Sequence, residues 1–215
     1  MKLYSKLFAL VAGLFLTTAL ASADTLQLGS YGSTAPANQF GNGNSALAIA
    51  GGSTYDIGTS GVWAAPAANS SWVSQSTGNC PGCGNVEPNG TYTFTSTFSL
   101  SNANYAGSIS VMADDTTDVL LNGHLVQDFA GGPNSTCQTV RPNCTLLLPV
   151  SLPQGDFLAG LNTLTFDVHQ TSGSAEGVDF GGSISSTPEP SSLILLGTGL
   201  FGSAAQMLRR RRRTA

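Results

Sequence analysis

Between residues 24 and 186 no apolar repeat is sustained at the helical period of 3.6 residues. Short runs of alternating apolar and polar residues recur instead, separated by clusters of Gly, Asn, Pro and Ser. Alternation at period two marks a strand with one buried face. The clearest run is Thr91 to Phe98, which turns Tyr92 and Phe94, and then Phe98 and Leu100, to one side. Thr25–Leu28, Ser108–Ala113, Asp118–Leu121, Thr145–Leu152, Thr163–Val168 and Gly177–Ile184 read the same way, with Ala46–Ala50 and Thr54–Ile57 as fainter runs. Asn122-Gly123 has the composition of a two-residue hairpin turn carrying the chain into His124-Leu125-Val126. The pattern predicts an all-β fold, a β-sandwich of about nine or ten strands with no helical layer.

The two ends break this pattern. Lys2 and Lys6 precede an apolar stretch from Leu7 to Leu20, followed by Ala21-Ser22-Ala23. This is the layout of a signal peptide over residues 1–23, with cleavage expected before Asp24. At the other end Pro188-Glu189-Pro190 is followed by an uncharged apolar stretch from Leu193 to Leu208, then by Arg209, Arg210, Arg211, Arg212 and Arg213. At ~1.5 Å per residue the stretch reaches roughly 24–27 Å, enough for a short transmembrane helix over about 191–208. An arginine block stays on the cytoplasmic side, so everything before Pro188 is expected outside.

Pro-Glu-Pro, one apolar helix and a terminal arginine cluster, in that order over residues 187–213, resemble the PEP-CTERM sorting signal of Gram-negative bacteria. The resemblance implies a processing partner, the membrane-bound enzyme exosortase, that cuts near Pro188-Glu189-Pro190. It also implies anchorage in the inner membrane before processing, and the cell surface or the extracellular space afterwards. The expected organisation is a signal peptide (1–23), an exported domain (24–186) and a sorting signal (187–215).

Setting the two signals aside changes the charge. Lys2, Lys6 and the five terminal arginines are seven of the eight basic residues, so the exported part keeps only Arg141 against all twelve acidic side chains, a formal charge of −11. Such a surface repels phosphate backbones, which excludes nucleic acid as an expected partner. Cys80 and Cys83 (in Cys-Pro-Gly-Cys), with Cys137 and Cys144, form an even count in an exported chain and read as two local disulfides. A redox motif lacks its βαβ setting, and a zinc knuckle lacks a second pair at matching spacing.

The stretch from Trp72 to Val168 carries a second resemblance. Trp72-Val73, Gly90-Thr91-Tyr92-Thr93-Phe94, Ala113-Asp114-Asp115, Val119-Leu120-Leu121-Asn122-Gly123 and Gly160-Leu161-Asn162-Thr163-Leu164 follow one another as in galactose-binding-like jelly rolls. Those occur in carbohydrate-binding modules and in accessory domains of glycosidases, so the resemblance implies a jelly-roll-like sandwich. Asn122, Gly123 and Asn162 serve the fold there, closing turns, and identify no ligand.

Three groups of residues are candidates for chemistry. Asp114, Asp115 and Asp118 lie within five positions and are expected to offer oxygens to calcium, no other cofactor being implied. Trp63 and Trp72 are the candidate sugar platform, Trp63 sitting in a Gly/Ala/Pro-rich stretch. A glycosidase pair would join Asp114 or Asp115 to Glu87 or Glu176, but nothing sets the separation such a pair needs. His124 and His169 are isolated, and no nucleophile motif is present. The expected function is therefore a non-catalytic structural module at the cell surface or in the extracellular matrix. The alternative is a carbohydrate-binding module acting on exopolysaccharide.

Overall fold

In the computed structural model the residues described are 23–34, 43–59, 61–79, 84, 86–128, 137, 141–171, 173–187, 198–199 and 202. Of the expected signal peptide only Ala23 is among them; Cys80, Cys83, Pro188-Glu189-Pro190, nearly all of the 191–208 stretch and the arginine cluster lie outside them. Two units separate in the chain: Thr25–Ser186, and the two ends, Met1–Asp24 with Thr187–Ala215. No helix among the described residues is long and apolar enough to cross a membrane.

The first unit is a β-sandwich. Its strands are β1 (Thr25–Gly32), β2 (Ser45–Ile49), β3 (Tyr55–Ile57), β4 (Trp72–Ser74), β5 (Gly90–Leu100), β6 (Tyr105–Asp114), β7 (Thr116–Leu121), β8 (His124–Gln127), β9 (Leu148–Leu152), β10 (Gly160–Gln170) and β11 (Gly177–Ser186). One sheet is built on β11, with β6 and then β9 on one side and β1 and β4 on the other, β3 lying outside β4. The second runs β2-β5-β10-β7-β8. β1 joins them: Thr25 to Gly29 pair with β11, whereas Ser30 to Gly32 pair in parallel with β2.

The alternation read from the sequence is what fills the space between the sheets. Phe94 (β5), Leu164, Phe166 and Val168 (β10), and Val119 and Leu121 (β7) face Ile109 and Val111 (β6) and Val178, Phe180 and Ile184 (β11). Phe166 and Phe180 stack across the sandwich with ring centroids 4.7 Å apart. Each is fully buried and stabilises the fold by roughly 1.5–3 kcal/mol relative to exposure. Asn122 and Gly123 adopt φ of 52° and 82°, as the β7–β8 hairpin turn requires. Asn162 locks the neighbouring β9–β10 connection. Its Oδ1 accepts from the Leu158 N–H and from Asn122 Nδ2 (2.8 Å each), and its Nδ2 donates to the carbonyls of Leu158 and Gly160 (2.8 and 3.0 Å).

Two differences from the sequence reading have local causes. β4 is absent from the alternation because it is three residues long and is held by β3 and β11 rather than by a pattern of its own. The run expected from Thr145 becomes a strand only at Leu148. Asn143 Oδ1 accepts the N–H groups of Thr145 and Leu146 (3.1 and 3.0 Å), a turn that diverts them from the ladder.

Candidate functional site

The chemistry-bearing side chains gather on the back of the β11 sheet. On β11, Val178 and Phe180 point into the sandwich, so Gly177, Asp179 and Gly181 line the opposite face. Segment 61–71 lies across that face. A side chain at Gly177 would meet the Trp63 ring at 2.9 Å, and one at Gly181 the Ala68 carbonyl at 2.9 Å; only glycine lets the segment seat so closely. Asp179 fastens it, with Oδ2 accepting from the Ala67 N–H (2.8 Å) and Oδ1 from the hydroxyls of Ser70 (2.6 Å) and Ser30 (3.2 Å). Burial nonetheless raises the Asp179 carboxyl above its ordinary range, the hydrogen bonds only opposing it.

Trp63 and Trp72 belong to this cover. They are 6% and 0% exposed and stack with centroids 4.3 Å apart, packed with Ile57, Met112, Ala175 and the Cys137–Cys144 disulfide. The expectation of an exposed sugar platform is corrected by this packing. A Gly/Ala/Pro-rich stretch that looks like a solvent loop is laid against a sheet face, and each indole N–H finds an internal acceptor. Trp63 Nε1 donates to Asp114 Oδ2 (2.7 Å) and Trp72 Nε1 to the Ala64 carbonyl (3.0 Å). The cystine segment is tied alongside, through Ala64 N–H to the Cys144 carbonyl (2.8 Å) and Ala113 N–H to the Asn143 carbonyl (3.2 Å). Cys137–Cys144 is thus one of the two expected bridges; Cys80 and Cys83 lie outside the described residues.

The three aspartates expected to act together are divided. Asp114 closes β6 and Asp115 occupies the corner into β7; they are 5% and 1% exposed, and their carboxyl groups lie against each other. Thr171 clamps the corner, its N–H and its hydroxyl both donating to Asp115 Oδ2 at 2.9 Å. Burial and the adjacent Asp115 push the Asp114 carboxyl up to about 8, against a lowering hydrogen bond from Trp63. Asp118 turns instead to the outer face of the other sheet, where its Oδ2 sits 3.0 Å from His169 Nε2. Among the described residues no three carboxylate, imidazole or thiol groups converge as metal ligands, so Asp118 leaves the expected calcium set.

Glu176 is a buried acid the sequence singled out only as a catalytic partner. Its Oε2 accepts from Ser74 Oγ (2.9 Å) and Asn79 Nδ2 (3.3 Å), and Asn79 also donates to Ser74 Oγ (2.6 Å). Burial pushes this carboxyl up to about 8, opposed by the Ser74 and Asn79 hydrogen bonds and aided by the negative charge of Glu87. Glu87 itself accepts from Gln75 Nε2 at 2.8 Å. Of the histidines, His124 is exposed, 3.9 Å from Asp156, and His169 bridges Asp118 and the Thr91 hydroxyl (3.1 Å). Around His169 the outer faces of β5, β10 and β7 carry Thr93 donating to Asp167 (2.6 Å), with Asp167 directly opposite Asp118 in register.

The description "PEP-CTERM protein-sorting motif" matches residues 186–213. The motif marks an exported chain sorted to the cell surface by exosortase and anchored in the membrane before processing. No curated protein matches the chain. Among solved structures the chain is similar to the GH26-CBM35 β-(1,4)-mannanase of Podospora anserina, at 13% identity and a TM-score of 0.36. The likeness covers 79% of this chain and 29% of that one, and at that level it assigns neither ligand nor activity.

Proposed function

We propose that Thr25–Ser186 is a non-catalytic structural module of the cell surface or extracellular matrix, carried there by the sorting signal and freed by cleavage near Pro188-Glu189-Pro190. One observation carries this reading: the aromatic and acidic side chains that would serve a ligand are turned inward, where they hold segment 61–71 and the cystine segment to the sheet. Asp114, Asp115 and Glu176 are buried too deeply to meet a polymeric substrate. Incubation of the secreted protein with exopolysaccharide tests the reading. Retention on the polymer or release of reducing ends would overturn it.

The carbohydrate-binding alternative is favoured by a different surface, the hydroxyl and carboxylate array of Thr91, Thr93, Asp118, Asp167 and His169. Retention abolished by Asp167→Ala would establish it there. Cleavage is tested separately by mass spectrometry of the secreted form. A C-terminus near Pro188–Pro190 is expected, and replacement of Arg209–Arg213 by alanine should abolish it; an intact Arg213 would show an uncut tail anchor.

A further inference from the structure

We infer that Asn89-Gly90, at the entrance to β5, is a self-modifying site at which Asn89 loses its amide and becomes aspartate or isoaspartate. The chain holds three Asn-Gly pairs: Asn42-Gly43, Asn89-Gly90 and Asn122-Gly123. With no Cβ on the glycine, its backbone nitrogen approaches the preceding asparagine side chain closely. The sequence marks all three pairs alike; the fold separates them. Asn42 lies outside the described residues. Asn122 is locked: its Nδ2 donates to the Asp156 carbonyl and to Asn162 Oδ1 (2.8 Å each), and its Oδ1 accepts from the Thr163 N–H (2.9 Å). Turning its Cγ toward the Gly123 nitrogen breaks these bonds. At about 0.5–1.5 kcal/mol each, their loss slows the step roughly tenfold or more.

Asn89 has no such lock. Pro88, Asn89 and Gly90 are all exposed, and no hydrogen bond among the described residues holds the Asn89 amide. The flanks are fixed instead, the Glu87 N–H donating to the Ser174 carbonyl (3.1 Å) and Tyr92 Oη to the Pro88 carbonyl (2.7 Å). Gly90 forms the last rung of the β5–β10 ladder, opposite Gln170, and a terminal rung opens locally without unfolding the sheet. The dipeptide thus reaches the reacting geometry inside an otherwise intact domain. There the Gly90 nitrogen attacks Asn89 Cγ. The N–Cγ bond forms, the Cγ–Nδ2 bond breaks, and Nδ2 leaves as ammonia with the Gly90 amide proton. Water then opens the cyclic imide, giving aspartate by attack at Cγ and isoaspartate by attack at the backbone carbonyl carbon. Nothing is oxidised or reduced, and water is the sole co-reactant. Either product adds a negative charge to an exported part whose formal charge is already −11. Isoaspartate also lengthens the backbone by a methylene directly before the Gly90 rung.

The secreted protein is incubated at mildly alkaline pH, folded or in urea, and digested with chymotrypsin, and tandem mass spectrometry follows each asparagine. In the folded protein Asn89 should convert roughly tenfold or more faster than Asn122, and in urea, where the Asn122 lock is gone, the two rates should converge. Gly90→Ala should slow Asn89 by about tenfold or more, because the added Cβ crowds the attacking nitrogen. That Cβ meets nothing within 4 Å, so the variant keeps the fold. An Asn89 that stays an amide in the folded protein, or an Asn122 that converts as fast there, would overturn the inference. So would a Gly90→Ala variant that reacts at the wild-type rate. A tenfold preference for Asn89 that persists in urea would place its cause in the sequence and refute the structural assignment.

Discussion

Glu176 makes the stability of this domain depend on pH in a direction opposite to that of a salt-bridged acid. Its carboxyl has an ordinary pKa of 4.5 and is pushed up to about 8 in the fold, chiefly by burial. In the unfolded chain it ionises near 4.5; in the folded chain it keeps its proton. Its contribution is therefore fully present below about pH 4.5, is lost as pH rises towards 8, and changes no further above that. At 1.36 kcal/mol per pH unit the difference comes to about 5 kcal/mol. That is comparable with the whole stability of a small domain. Glu176→Gln removes the titration while its amide oxygen can still accept from Ser74 and Asn79. Urea unfolding of wild type and variant at pH 5 and pH 9, both in EDTA, isolates the effect. The variant should be the more stable protein at pH 9 by several kcal/mol relative to the comparison at pH 5. An equal difference at the two pH values would show that Glu176 ionises normally, and the burial argument would be wrong.

Three further outcomes follow from the packing. Gly181→Val raises strand propensity, yet it should destabilise the domain by about 1–3 kcal/mol because its Cβ meets the Ala68 carbonyl at 2.9 Å; thermal unfolding that shows stabilisation would mean segment 61–71 does not lie on β11. Reduction of Cys137–Cys144, or its replacement by serines, opens the loop between two residues separated by 7 positions and should cost about 2–3 kcal/mol, measured as a lowered urea midpoint. Asn162→Ala leaves the Leu158 N–H and the carbonyls of Leu158 and Gly160 without their partner and should cost about 3 kcal/mol by the same assay; a loss under 1 kcal/mol would mean that the connection is held by its backbone alone.

Much of the sandwich is legible without coordinates because strand pairing and alternation are local. Thr91 to Phe98 and Thr163 to Val168 show their buried faces in the order of their residues, and Asn122-Gly123 declares a turn through its permitted torsions. The candidate chemistry was less legible. Asp114 and Asp118 are close in sequence but project from different sheets, since the chain crosses from β6 to β7 at Asp115. Asp179, flanked by Val178 and Phe180, reads as an ordinary solvent-facing strand position. Only the segment laid over it, more than a hundred residues earlier, makes it a buried fastening.

By itself, then, the sequence determined the all-β class, the registerable strands, the charge of the exported part and the sorting signal, all of which depend on neighbours within a few residues. The tertiary structure decided which polar groups are buried, because burial depends on what packs against a face from elsewhere in the chain. It moved Trp63 and Trp72 from an expected binding surface into a second core, and it drew Asp114 and Asp115 away from Asp118. An acid or an indole has the same donors and acceptors wherever it stands. Whether water or protein satisfies them is settled only when distant segments meet.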